Sequence, residues 1–162
     1  MQTTFALKGN LVYTPVCGEL AQHPNSYLVC ENGTVAGIFD VLPERYRGIP
    51  VEDYGDKLIL PGFVDMHVHA GQYAYRGLGM DMELLDWLEQ NAFPEESRFA
   101  KEAYAEAAYR IFVDALLHST TTRASIFATL HRPATLRLMQ LLDQAGLPCY
   151  VGKVNMDRNS PD

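Results

Sequence analysis

The sequence has no strongly basic stretch. Thirteen Lys and Arg stand against twenty Asp and Glu, for a formal net charge of -7. That balance argues against a nucleic-acid partner gripped through its phosphates, because no cationic stripe is there to displace counterions. It leaves open a single neutral base in a pocket. No apolar run reaches the roughly 20 residues that a membrane helix needs. The opening Met1-Gln2-Thr3-Thr4 lacks the basic and apolar regions of a secretion signal. Cysteine is scarce: Cys17, Cys30 and Cys149 are odd in number and far apart. They form no Cys-x-x-Cys metal pair, and they point away from a disulfide framework and toward a reducing cytoplasm. Internal repeats and low-complexity tracts are missing too. What is present is 48% hydrophobic residues, enough to bury a sizeable core.

The chain changes character near residue 60. Before it, short segments are punctuated by Gly, Pro and Asn. Phe5–Leu7 and Leu11–Tyr13 flank Gly9-Asn10, which reads as a turn. Tyr27–Cys30 and Val35–Phe39 flank Asn32-Gly33, a pair suited to tight hairpins because both residues tolerate positive φ. Residues 1–60 thus predict a small antiparallel β unit. After residue 60 the pattern alternates. Phe63–His69, Thr121–Ala128 and Cys149–Val154 read as strands. Glu83–Asn91, ending near Pro94, and Glu95–His118 read as helices. In the second of these, Tyr104, Ala108, Ile111, Phe112, Ala115 and Leu116 make one apolar stripe. Pro133–Ala145 is a further helix, with Pro133 in its first turn and Gly146 at its end. Strand–helix alternation predicts an α/β architecture with parallel strands and helices outside them. A full eight-fold barrel takes about 250 residues. Residues 61–162 suffice for about three of the eight repeats, so the sheet is either small and open or the first part of a barrel.

The densest chemistry lies in Pro61-Gly62-Phe63-Val64-Asp65-Met66-His67-Val68-His69. With a period of two, Phe63, Asp65, His67 and His69 share one face, and Val64, Met66 and Val68 the other. The apolar face suits packing against helices. Histidines at i and i+2 sit about 7 Å apart along a strand, and their rings can converge on one zinc at about 2.0–2.1 Å. Asp65, on the same face, is placed to orient a ligand through a hydrogen bond. A lone buried histidine is more often structural. Two neutral imidazoles beside a carboxylate are costly to bury without something that uses them, which tips the reading toward metal.

This motif resembles the first-strand signature of the amidohydrolase superfamily. The resemblance implies a β-sandwich formed partly by the N-terminus (residues 1–60) and a distorted (β/α)8, TIM-type barrel whose first three strands and helices are residues 61–162. It implies that His67 and His69 are metal ligands. The segments Ala70-Gly71-Gln72-Tyr73, Leu84-Leu85-Asp86-Trp87-Leu88, Phe93-Pro94, Thr120-Thr121-Thr122, Phe127-Ala128-Thr129 and Val151–Asp157 are together similar to the guanine deaminases of that superfamily. Hydrolytic removal of the 2-amino group of guanine, giving xanthine and ammonia, is the activity so implied. Gln72 would then hydrogen-bond the purine, with Ala70 and Gly71 lining the same loop. An amide suits that role because it both donates and accepts. Leu84 and Trp87, three residues apart, can share a helix face and wall a flat base, or simply pack in the core.

The remaining titratable candidates are weaker. His131 follows the second strand, at the end where barrel sites form, and reads as a surface-loop residue. His23 and His118 read as structural, His118 at a helix C-terminus. Asp157 reads as a loop or cap residue. The resemblance also implies a third and a fourth histidine, an aspartate, a proton-shuttling glutamate and an Arg-Phe pair for guanine. None of these matches a residue here, so no catalytic residue is assigned within the chain. The expectation is an N-terminal segment of a cytoplasmic, homodimeric, zinc-dependent enzyme acting on a small purine, inactive by itself. Iron is an alternative metal, since N/O ligands accept both. The competing readings are another deaminase or cyclic amidase of the superfamily, and a truncated, non-catalytic remnant.

Overall fold

In the computed structural model, which describes residues 3–156, Asn32 and Gly33 both take positive φ, 51° and 80°. That geometry matches the twist of a two-residue hairpin turn, and it joins β2 (Ala21–Glu31) to β3 (Thr34–Phe39) in antiparallel pairing. β1 (Thr4–Tyr13) runs antiparallel to β2 and parallel to β4 (Val51–Ile59). The sheet order is β3-β2-β1-β4.

Gly9-Asn10 does not reverse the chain. β1 runs through it, and its pairing with β2 slips between Gly9 and Leu11. A Cβ at Gly9 would lie 2.9 Å from Ile59 Cδ1, so this glycine serves close approach at a bulge rather than a turn. Nor is the unit wholly antiparallel, since β4 pairs parallel. Its Glu52, Asp53, Gly55 and Asp56 are poor strand formers, which hid it. They are tolerated on an edge strand that loops out at Gly55 (φ 61°) between the Lys8–Asp53 and Asn10–Leu58 pairs. Ala6, Val29 and Tyr46 are buried together. Leu7, Leu28, Ile38 and Ile59 line an open apolar cleft of about 620 Å³.

A second compact unit begins at Gly62. β5 (Phe63–His69), β6 (Thr121–Phe127) and β7 (Tyr150–Gly152) form a parallel sheet in that order. α3 (Glu102–Leu117) and α4 (Arg132–Gln144) pack on it through a core that includes Tyr109, Phe112, Ala124, Ile126 and Leu138. The chain is therefore mixed α/β. Pro133 stands in the first turn of α4, and Gly146 follows its end at φ 70°. β7 is shorter than its apolar run, Cys149–Val154. Asp157 lies outside the described residues. Among the described residues no helix is long and apolar enough to cross a membrane.

The middle of the unit departs from expectation. Helical structure does not stop at Pro94. α1 (Leu84–Trp87) continues through a π turn, Leu88–Ala92, into α2 (Phe93–Ser97). The Phe93 N–H reaches back five residues to Leu88 O. The wider turn relieves the clash a proline ring makes with the carbonyl four residues back, so Pro94 is accommodated. Glu95–His118 is not one helix either. A 3-10 turn at Arg98–Ala100 and an extended Lys101 (φ -89°, ψ 114°) separate α2 from α3. α3 buries Ala105, Tyr109, Phe112 and Val113, and leaves Ile111 63% exposed. The buried arc is set by two neighbours, the sheet and α4, so it is offset from the stripe that helical spacing alone suggests. His118 does close α3, with its Nδ1 2.8 Å from Asp114 O.

Glu106 on α3 accepts hydrogen bonds from Arg137 on α4 and from Arg110. Arg137 first, then Arg110, hold its carboxyl down to about 2 from an ordinary 4.5. A depressed carboxylate stabilises the fold above its unfolded value and loses that contribution as pH falls toward the folded value. Thermal melts should therefore show an acid-side fall between pH 4.5 and 2 that Glu106→Gln makes shallower. Leu138, fully buried, should cost about 2–5 kcal/mol when cut to alanine, measured by denaturant unfolding.

Candidate metal centre and adjoining loop

From Ala124 onward β6 alternates. Ala124 and Ile126 are buried toward the helices, and Phe127 is 38% exposed on the other face. β5 does not alternate cleanly. Asp65 pairs with Ala124 and Val68 with Ile126, so three steps on β5 oppose two on β6. This bulge re-aims the side chains around Met66-His67. Val68 packs on the core, while Met66 is 75% and Val64 51% exposed. The apolar face expected to pack on helices is thus only partly buried, because register shifts on either side of Val64-Asp65 break the period of two. Asp65 falls in step with Val68 rather than with the histidines. Its carboxylate accepts the His67 backbone N–H at 3.0 Å. It shapes the bulge, and among the described residues it makes no hydrogen bond to either imidazole.

Beyond the bulge the two histidines converge. His67 Nε2 and His69 Nε2 are 3.3 Å apart. Two nitrogens each 2.0–2.1 Å from one tetrahedral ion lie about 3.3–3.4 Å apart, so the pair fits a shared metal without rearrangement. Burial first, and then His67, hold the His69 imidazole below the usual histidine range, favouring the neutral, ligating form. Among the described residues no group of three His, Cys, Asp or Glu is placed to hold an ion.

A 3-10 turn, Ala70–Tyr75, follows β5 directly. Ala70 is 3% exposed and belongs to the core. Gly71 is buried, and a Cβ there would lie 3.1 Å from Thr129 Cγ2 and 3.5 Å from Glu96 Cγ. These two residues anchor the turn. Gln72 is half-buried beside them. Glu96 was not foreseen. Burial pushes its carboxyl up, and the neighbouring Gln72 amide draws it partway back. In sequence it is one more acidic residue near a helix start, with nothing local to bring it to this turn.

Trp87 and Leu84 differ in their surroundings. Trp87 donates Nε1–H to Leu78 O at 2.9 Å, and its ring lies 5.7 Å from Tyr75. Leu84 is 66% exposed. His131 ends the loop before α4, half-buried at the N-cap position, and its buried Nε2 has no hydrogen-bond partner among the described residues. His23 stacks on Tyr13 at 5.9 Å, a structural place. Phe127, noted in the sequence only as part of the Phe127-Ala128-Thr129 segment, touches both ligand candidates. Its ring centroid is 4.8 Å from each imidazole, parallel to His69 within 11° and tilted 50° to His67.

A strand ending in two converging imidazoles, followed at once by an anchored turn, could supply part of a metal site. Residues 58–162 match the amidohydrolase family model, and the chain belongs to that family. Within it, the chain is similar to guanine deaminases. It is 44% identical to guanine deaminase of Dictyostelium discoideum over 96% of this chain, and spans 38% of that relative's length. It superposes on the crystal structure of guanine deaminase from C. acetobutylicum, with guanine bound in that active site. The TM-score is 0.92 and the identity 41%, over 99% of this chain and 38% of the other. A zinc complex of atrazine chlorohydrolase from Arthrobacter aurescens TC1 shares the fold, with TM-score 0.71 and 14% identity over 92% of this chain and 35% of the other.

The close seat of Gly71 is testable. Gly71→Ala should destabilise by about 1–3 kcal/mol through overpacking. Thr129→Ser, which removes Cγ2, should recover part of that loss in a double-mutant cycle. Additive energies would mean that the two residues do not press on each other.

Proposed function

We propose that the complete protein deaminates guanine hydrolytically to xanthine and ammonia, and that this chain supplies two of its metal ligands and part of its substrate loop. The observation that carries this is the 3.3 Å convergence of His67 and His69 at the head of the Gln72 turn, in a chain 41–44% identical to guanine deaminases.

His67 and His69 would hold zinc or iron through Nε2. When bound, the metal would act as a Lewis acid that brings a water toward hydroxide near neutral pH. Gln72 would meet the purine edge, accepting through Oε1 and donating through Nε2. Ala70 and Gly71 contribute by fixing the turn, so that Gln72 projects from a rigid base. Residues 1–60 are read as part of a β-sandwich and 61–162 as the first three strands, with their helices, of a distorted (β/α)8 barrel. Support comes from the open apolar cleft of the first sheet and from three parallel strands whose outer edges, on β5 and β7, pair with no further strand among the described residues. A reducing cytoplasm suits the three free cysteines.

The test uses the complete protein, metal-replete, with guanine and a panel of other purines, pyrimidines and cyclic amides. Xanthine should form from guanine, stop on chelation and return with metal. Gln72→Ala should lower kcat/KM for guanine about tenfold, as loss of a buried hydrogen-bonding amide predicts. Turnover of another panel member with guanine left untouched would overturn the substrate.

A further inference from the structure

We propose that Phe127 is a positioning residue that sets the ring planes of His67 and His69 for metal binding. The proposal rests on reading those histidines as ligands. Phe127 is the register partner of His69 across the β5–β6 pair. It is the last residue of β6 and points away from the helical layer that buries Ala124 and Ile126. The core of the unit therefore does not require it. What its ring meets is the pair of imidazoles, each centroid 4.8 Å away.

An imidazole plane is weakly held by its own torsion, because rotation about the Cβ–Cγ bond is broad. Metal-binding histidines are usually fixed by a hydrogen bond from the other ring nitrogen to a carboxylate or carbonyl. Among the described residues, neither His67 nor His69 has such a bond at Nδ1. Asp65, the nearest carboxylate in sequence, is committed to the His67 backbone. The flat face of Phe127 restrains the rings by packing instead. Rotating His69 out of its 11° alignment would drive its edge into the phenyl ring. His67, tilted 50° against the same ring, is limited from the other side. Both planes are held where the two Nε2 atoms approach to 3.3 Å. A ligand pair aligned before the metal arrives loses less freedom on binding it.

The experiment compares the complete protein with Phe127→Leu, Phe127→Met and Phe127→Tyr, with His67→Ala and His69→Ala as controls. Zinc affinity is measured by competition with a chelator, and ligand geometry by the visible absorption of the cobalt-substituted protein. The melting temperature of the metal-free protein reports packing separately. Phe127→Leu and Phe127→Met should weaken zinc about tenfold, the effect typical of losing an orienting group, and shift the cobalt spectrum. Their metal-free melts should stay near that of the parent. Phe127→Tyr keeps the ring and should match the parent in both readouts. Leu and Met variants that bind zinc as tightly as the parent, with an unchanged spectrum, would overturn the proposal. So would a Tyr variant as weak as they are. If His67→Ala and His69→Ala keep full zinc, the ligand reading itself fails, and the role of Phe127 with it.

Discussion

The parallel pairing of β5 with β6, whose register shifts after Phe63 and again around Met66-His67, governs the rest of this site. A regular pair would leave successive same-face residues about 7 Å apart along the strand. The single extra residue on β5 changes which side chains face the helices, turns Asp65 out of step, and leaves His67 and His69 with Nε2 atoms 3.3 Å apart. The same register puts Phe127 beside His69. Pairing, bulge and aromatic contact are one local device.

The turn after β5 depends on the same sheet in another way. Ala70 is in the core, and Gly71 is pressed between Thr129, just past β6, and Glu96, from α2. The backbone therefore leaves the strand on a fixed course, and Gln72 is presented from a packed base. Stability and function are coupled here through volume. A single methyl at Gly71 meets a fully buried threonine, in an interior with no spare room. Trp87 takes part in holding this region too, but from behind: its indole N–H closes on Leu78 O, which ties the segment after the turn to α1.

Much of this was legible from residue order. Asn32-Gly33, Pro133 and Gly146 act through their own φ preferences, so their places in a hairpin and at helix ends follow from residue type. The strand spans of β5 and β6 followed from apolar and β-branched runs. Pro94 misled because a π turn absorbed what would ordinarily end a helix. β4 was hidden because an edge strand can carry charges and a looped-out glycine that a central strand could not. Glu96 carried no local signal and Phe127 only its place in a family-like segment, since what matters about each is a residue far away along the chain.

The sequence by itself determined the chemistry on offer: two histidines two apart on a strand, a glutamine three residues on, no basic surface, and α/β alternation from residue 61. These are properties of residue type and spacing, which the chain carries before it folds. Tertiary structure alone decided that the two imidazoles meet, that Asp65 serves the backbone, and that Phe127 faces both ligands. Those outcomes depend on strand register, and register is settled only when β6, some sixty residues later in the chain, pairs with β5 and commits each side chain to one face.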